Sequence, residues 1–200
     1  MFPEITKKHF WGFIALSLIM LMAGCDLYKS DVTEIGGVDK TVCQQFSDSV
    51  FAELQTQVST AYDEDWRDSE VSAFAGQLID SLLEDSIFIE KDYELAYQLT
   101  LASAEDTSYV VIKTASSGTI VFTTDIIILH LYDSAGKEYK LNDNEMPLET
   151  ISGCVQADEN NVNQPLIKMR ELYSTSAGNI LLQLIKAEQT KRTVFKISVQ

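Results

Sequence analysis

Hydrophobic and polar positions divide the chain into three stretches of different rhythm. From Phe10 to Ala23 the side chains are almost without interruption apolar, and the stretch follows Lys7 and Lys8. From Cys43 the rhythm becomes helical: Cys43, Phe46, Val50, Leu54 and Val58 recur every three or four residues, as the inner face of an amphipathic helix requires. Acidic residues from Asp63 to Asp68 interrupt it. A second stripe follows at Val71, Phe74, Ala75, Leu78, Ile79, Leu82 and Leu83, with Ser69 and Glu70 suited to the first turn. The pattern predicts two amphipathic helices within residues 41–86, their stripes buried in the protein's own core.

After residue 87 the period falls to that of strands. Tyr97, Leu99 and Leu101 alternate with polar or small residues, Tyr109 to Lys113 is rich in β-branched side chains, and Ile120 and Phe122 follow Gly118. Ile126 to Tyr132 is a dense apolar run that ends in Asp133-Ser134-Ala135-Gly136, with Tyr139 and Leu141 beyond, so a hairpin is expected there. Residues 142–164 read as irregular and polar. Leu166 to Tyr173, Ile180 to Ile185 and Thr193 to Val199 supply the last strands. The predicted class is α+β: two N-terminal helices, then an antiparallel β-sandwich or jelly roll of seven or eight strands over residues 87–200.

The first apolar stretch is shorter than the about 20 residues a membrane-spanning helix needs, and its position behind two lysines is that of a signal peptide over residues 1–24. It closes on Leu21-Met22-Ala23-Gly24-Cys25, which resembles the lipobox of bacterial lipoproteins, with Met22 where that family most often has Leu. The resemblance implies a diacylglycerol on the Cys25 thiol, cleavage just before it and acylation of the new amino group. Two or three acyl chains then hold the protein to a membrane without a spanning helix, since each buried methylene contributes about 0.8 kcal/mol. Asp26 resembles the residue that retains enteric lipoproteins in the inner membrane, other lineages sorting by other rules. Residues 25–40, polar and carrying Gly36-Gly37, read as a flexible tether, the folded body beginning near Thr41.

Charge and cysteine content change the picture in two ways. The chain has 15 basic and 30 acidic residues, and loss of residues 1–24 removes Lys7, Lys8 and Glu4, leaving 13 against 29 and a net charge near −16. A surface so acidic repels phosphate backbones, so nucleic-acid binding is not expected. With Cys25 lipidated, Cys43 and Cys154 remain, an even pair in an oxidising compartment. A disulfide between them is the expectation and two free thiols the alternative.

Within residues 94–200, Ser117-Gly118-Thr119-Ile120, the run Leu129-His130-Leu131-Tyr132-Asp133-Ser134-Ala135-Gly136-Lys137, and Ser176-Ala177-Gly178 are similar to the motifs of the bacterial pre-peptidase C-terminal domain. In this chain Asn179 and Ile180 stand where that family usually has Tyr. The resemblance implies a small extracellular β-sandwich with a non-catalytic accessory or binding role.

Candidate chemistry is sparse. After cleavage His130 is the remaining histidine, and its place in an apolar run reads as a strand buried on much of both faces, away from any substrate. Zinc is not expected without a Cys/His ligand cluster, and no cofactor motif occurs. Asp63-Glu64-Asp65, Asp143-Asn144-Glu145 and Asp158-Glu159-Asn160-Asn161 sit in expected turns, where solvated acids are the ordinary reading and calcium ligands the alternative. Tyr62 and Trp66 flank the first cluster and suit either an exposed contact or a cap on the helix pair. The sequence therefore favours a non-enzymatic envelope lipoprotein binding a protein or glycan. An envelope hydrolase using loop carboxylates, or a structural and assembly role, is the alternative.

Overall fold

A computed structural model describes residues 37–56, 73–101, 107–142, 154–157, 163–190 and 192–200. The described body is mostly β, with two short helices. In chain order it contains α1 (Gly37–Ser47), β1 (Ala52–Gln55), α2 (Ala75–Glu84), β2 (Phe88–Glu90), β3 (Tyr97–Thr100), β4 (Thr107–Thr114), β5 (Thr119–Thr123), β6 (Ile127–Tyr132) and β7 (Glu138–Tyr139). It continues with β8 (Val155–Ala157), β9 (Asn163–Pro165), β10 (Met169–Tyr173), β11 (Gly178–Lys186) and β12 (Val194–Val199). Sheet 1 has the order β1-β3-β12-β5-β10, sheet 2 the order β2-β4-β11-β6-β7, and β8 and β9 form a separate hairpin.

The two sheets face each other across one apolar core. Tyr97, Leu99, Val121, Tyr173, Phe195, Ile197 and Val199 of sheet 1 share a buried cluster with Ile89, Val110, Ile112, Leu129, Leu131, Ile180, Leu182 and Leu184 of sheet 2. This is the β-sandwich expected from the period-2 segments. Among the described residues its two sheets have ten strands where the sequence pattern predicts seven or eight, because β1 joins from ahead of residue 87 and short edge strands are added. It differs from a purely antiparallel sandwich at one side, where β1 pairs with β3 and β2 with β4 in parallel. The β6–β7 turn carries the expected chemistry: Asp133 Oδ1 accepts from the backbone amides of Ala135 and Lys137, both at 2.9 Å, and Gly136 takes φ 80°.

The helical half of the sequence pattern is only partly realised. The stripe from Cys43 to Val58 does not make one helix. α1 opens earlier, at Gly37, and ends at Ser47, and the chain then runs as β1 alongside β3, with Leu54 packed against the core. Spacing of three or four residues places Leu54 on the helical stripe, but an edge position beside Tyr97–Thr100 gives that side chain a core to enter, and tertiary packing overrides the local period. α2 keeps its stripe: Ala75, Leu78, Ile79 and Leu82 are buried against Tyr109, Val111 and Leu181 on the outer face of sheet 2. It stops through paired carbonyl caps. Ser86, at φ 62°, donates its amide to the Leu83 carbonyl at 3.2 Å, and Ile87 donates to the Leu82 carbonyl at 2.8 Å.

Each sheet thus has a helix against its outer face. α1 lies on sheet 1, with Val42, Gln45 and Phe46 buried and Gln45 and Phe46 in contact with β12 side chains.

Candidate functional site

The cysteine pair expected from the sequence is bonded. Cys43 of α1 and Cys154, which precedes β8, have Cα atoms 5.7 Å apart and are joined across a sequence separation of 111. Cys154 is fully buried. The rest of α1's attachment is largely polar. Arg170 Nε donates to Asp39 Oδ1 at 3.1 Å while its guanidinium stacks 5.8 Å from the Phe122 ring centre. Ser198 Oγ donates to Gln45 Oε1 at 2.7 Å, and Gln45 Nε2 donates to the Tyr93 and Glu94 carbonyls. Lys196 Nζ donates to the Phe46 and Asp48 carbonyls at 2.9 and 2.6 Å, a cation set on the carbonyl end of the helix. Burial holds the Lys196 ammonium below its usual range, an effect partly offset by the Asp48 charge.

The environment of His130 corrects the sequence reading. The run Ile126–Tyr132 is not buried on both faces: along β6 burial alternates, and Ile128 is 45% exposed. The same kind of apolar run in β4 is buried without a break from Ser108 to Ile112, because α2 covers its outer side at Tyr109 and Val111. β6 lies mostly beyond that cover. Its outer positions therefore alternate toward water, as in an antiparallel sheet with one open face. His130 occupies one of them, its side chain 35% exposed, with Nδ1 2.7 Å from Glu138 Oε1 across the hairpin. In the cross-strand row of His130 stand Gln183 and Tyr109: Gln183 Oε1 accepts from the Tyr132 hydroxyl and Gln183 Nε2 donates to the Tyr109 hydroxyl, both at 3.2 Å. Burial, then the charges of Glu138 and Tyr109, pushes the Tyr132 hydroxyl up to about 12.

A second polar group lies on the inner face, where β10 of sheet 1 meets β6 of sheet 2. Alternation along Met169-Arg170-Glu171-Leu172-Tyr173 sends Met169, Glu171 and Tyr173 inward. The Tyr173 hydroxyl is 2.5 Å from Glu171 Oε2 and 3.4 Å from the Leu129 carbonyl, and Met169 Sδ accepts from the Ile127 amide at 3.0 Å. β7 covers β6 only at Leu131 and Tyr132, so these side chains serve backbone groups of β6 that lie beyond the end of β7. Burial raises the Glu171 carboxyl above its ordinary range, opposed by the Tyr173 hydrogen bond and the His130 charge. The Tyr173 hydroxyl is also raised, first by burial and then by its bond to Glu171. The group was missed in the sequence, although the alternation that exposes it was there to be seen.

Asp125 is likewise turned into the fold: Oδ1 accepts from the Ile126 amide at 2.8 Å and Oδ2 from the Arg192 amide at 2.9 Å. The other candidates from the sequence lie outside the described residues: Cys25, Tyr62, Trp66 and the acidic clusters at 63–65, 143–145 and 158–161. Among the described residues no group of three or more histidine, cysteine or acidic side chains is placed to hold a metal ion, and no helix is long and apolar enough to cross a membrane. In comparisons with known proteins, the chain matches no family model and no curated protein.

Proposed function

We propose that the protein is an envelope lipoprotein, lipidated on Cys25 and facing the periplasm or exterior, whose β-sandwich is a non-enzymatic binding or accessory module for a protein or glycan partner. The lipobox-like Leu21–Cys25 segment behind Lys7 and Lys8 supports the anchor, and the Cys43–Cys154 bond suits an oxidising compartment. The observation that carries the binding reading is how the body spends its ionisable side chains. Glu171 is bonded to Tyr173, His130 pairs with Glu138, Asp125 receives backbone amides, Asp39 pairs with Arg170, and Lys196 caps α1. A general acid or base needs a polar atom aimed at the space a substrate would occupy. Glu171, Asp125, Asp39 and Lys196 are instead turned into the fold, and His130, on the open face of β6, is engaged by Glu138.

The test has two parts. Cys25→Ser should remove the lipid mass and release the protein from the membrane pellet, and unchanged fractionation would overturn the anchor. The double variant His130→Gln, Glu171→Gln should keep the cellular phenotype of the parent wherever thermal melting shows it folded. A folded double variant with a null phenotype would favour a hydrolase instead.

A further inference from the structure

α1 is a weak helix by itself. It has 11 residues and opens on Gly37, below the about 12 to 15 residues at which isolated helices become even marginal in water. It buries two apolar side chains, Val42 and Phe46. The remaining non-covalent hold is polar: Asp39 on Arg170, Gln45 on Ser198 and on the carbonyls ahead of β3, and the Lys196 ammonium on the last carbonyls. When the helix lifts, each of these contacts is replaced by one to water, so each holds the helix by far less than its strength in isolation. The disulfide is different in kind. It joins α1 to the start of the β8–β9 hairpin, and neither element belongs to the two five-stranded sheets. Cys154 is fully buried whereas Cys43 is partly exposed, so of the two residues Cys43 is the one nearer to solvent.

We propose that Cys43–Cys154 is the latch of a redox-sensitive strap: thiol–disulfide exchange with a dithiol reductant opens it, α1 lifts from sheet 1, and the two-sheet core stays folded. One thiolate of the reductant attacks the Cys43 sulfur, forming a mixed disulfide and releasing the Cys154 thiolate, which takes up a proton. The second thiol of the reductant, as its thiolate, then attacks the mixed disulfide and releases Cys43, so that two cysteine thiols and one oxidised dithiol result. Lifting α1 uncovers its own Val42 and Phe46 and frees Arg170 and Lys196 from Asp39 and the helix carbonyls. It also lengthens the link ahead of β1. Eleven residues span about 16 Å as a helix and up to about 36 Å extended. If Cys25 carries lipid, as proposed above, the sandwich then reaches further from its membrane.

Hydrogen exchange on the full chain at neutral pH, with and without dithiothreitol, tests the latch. Exchange is read within the time window in which β4 and β11 remain protected in both states. Peptides covering residues 37–47 should exchange at least tenfold faster after reduction, and Cys43→Ser without reductant should reproduce the change. Any of three outcomes overturns the proposal: an equal loss of protection in β4 and β11, unchanged protection of α1 after alkylation shows both thiols free, or a bond that dithiothreitol leaves intact in the native protein. The readout does not depend on lipidation, so a chain without lipid mass whose α1 still opens refutes the anchor alone.

Discussion

The two outer faces of the sandwich are each covered by one helix, and by different chemistry. On sheet 2, α2 is held by an apolar stripe, Ala75, Leu78, Ile79 and Leu82 meeting Tyr109, Val111 and Leu181. On sheet 1, α1 is held by two buried apolar residues, polar and ionic contacts and one covalent bond. Apolar burial acts wherever water is excluded and needs no partner of fixed geometry. The α1 side depends on specific pairs, and its strongest tie is absent from a reduced chain. A cover of the first kind belongs to the fold. One of the second kind responds to conditions.

Removing the covalent tie has the largest expected effect on that comparison. In the double variant Cys43→Ala, Cys154→Ala, the unfolded chain regains the freedom of a loop closed over a separation of 111 residues. On the chain-entropy model this lowers the unfolding free energy by about 4 to 5 kcal/mol, a large part of an ordinary domain's stability. Urea titration reads it, and a loss below about 1 kcal/mol would show that the bond constrains the unfolded state little. Such a global loss is compatible with local opening of α1, because the first concerns the unfolded chain and the second the native one.

Next in size is a contrast between the two helices. Leu82→Ala empties a fully buried position on the inner face of α2 and should cost about 3 kcal/mol. Lys196→Met keeps the length of the side chain but removes the ammonium from the helix carbonyls, and should cost about 1 kcal/mol. Thermal melts of the two variants should therefore separate clearly, and equal losses would erase the distinction between the faces.

The smallest effect concerns neither cover but the side where β10 meets β6. Burial raises the folded-state pKa of Glu171 above the ordinary 4.5, so between that value and the folded pKa the native state holds a proton that the unfolded state has released. Stability then falls as pH rises through that window, and the loss is complete above the folded pKa. Glu171→Gln keeps an acceptor for Tyr173 and removes the titration. Its stability should decline less between pH 4.5 and neutrality than the parent's, as read by denaturant midpoints across that range. Identical slopes would mean that the carboxyl is not buried in solution.

Much of the core was legible along the chain. The alternation of Tyr97, Leu99 and Leu101, the run from Tyr109 to Lys113 and the stripe Ala75, Leu78, Ile79 and Leu82 all became buried faces. The turn at Asp133–Gly136 formed as its residues suggested, because an aspartate that accepts from its own backbone and a glycine at positive φ are local devices. The even cysteine count pointed to the right pair. Less was legible where an element's fate depends on a distant neighbour. Leu54 fits a helical stripe equally well, and only the edge beside β3 makes its segment a strand.

His130 and Tyr109 stand in apolar runs of the same kind, yet one is partly exposed beside Glu138 and the other lies beneath α2. Periodicity reports which side chains share a face, and that much the sequence determined by itself. Whether a face meets water, a helix or the opposite sheet depends on chain segments tens of residues away. Only the tertiary structure decided that α2 shields β4 and leaves most of the outer face of β6 open, that Met169 and Tyr173 serve the backbone of β6, and that Cys43 of α1 meets Cys154 ahead of the β8–β9 hairpin.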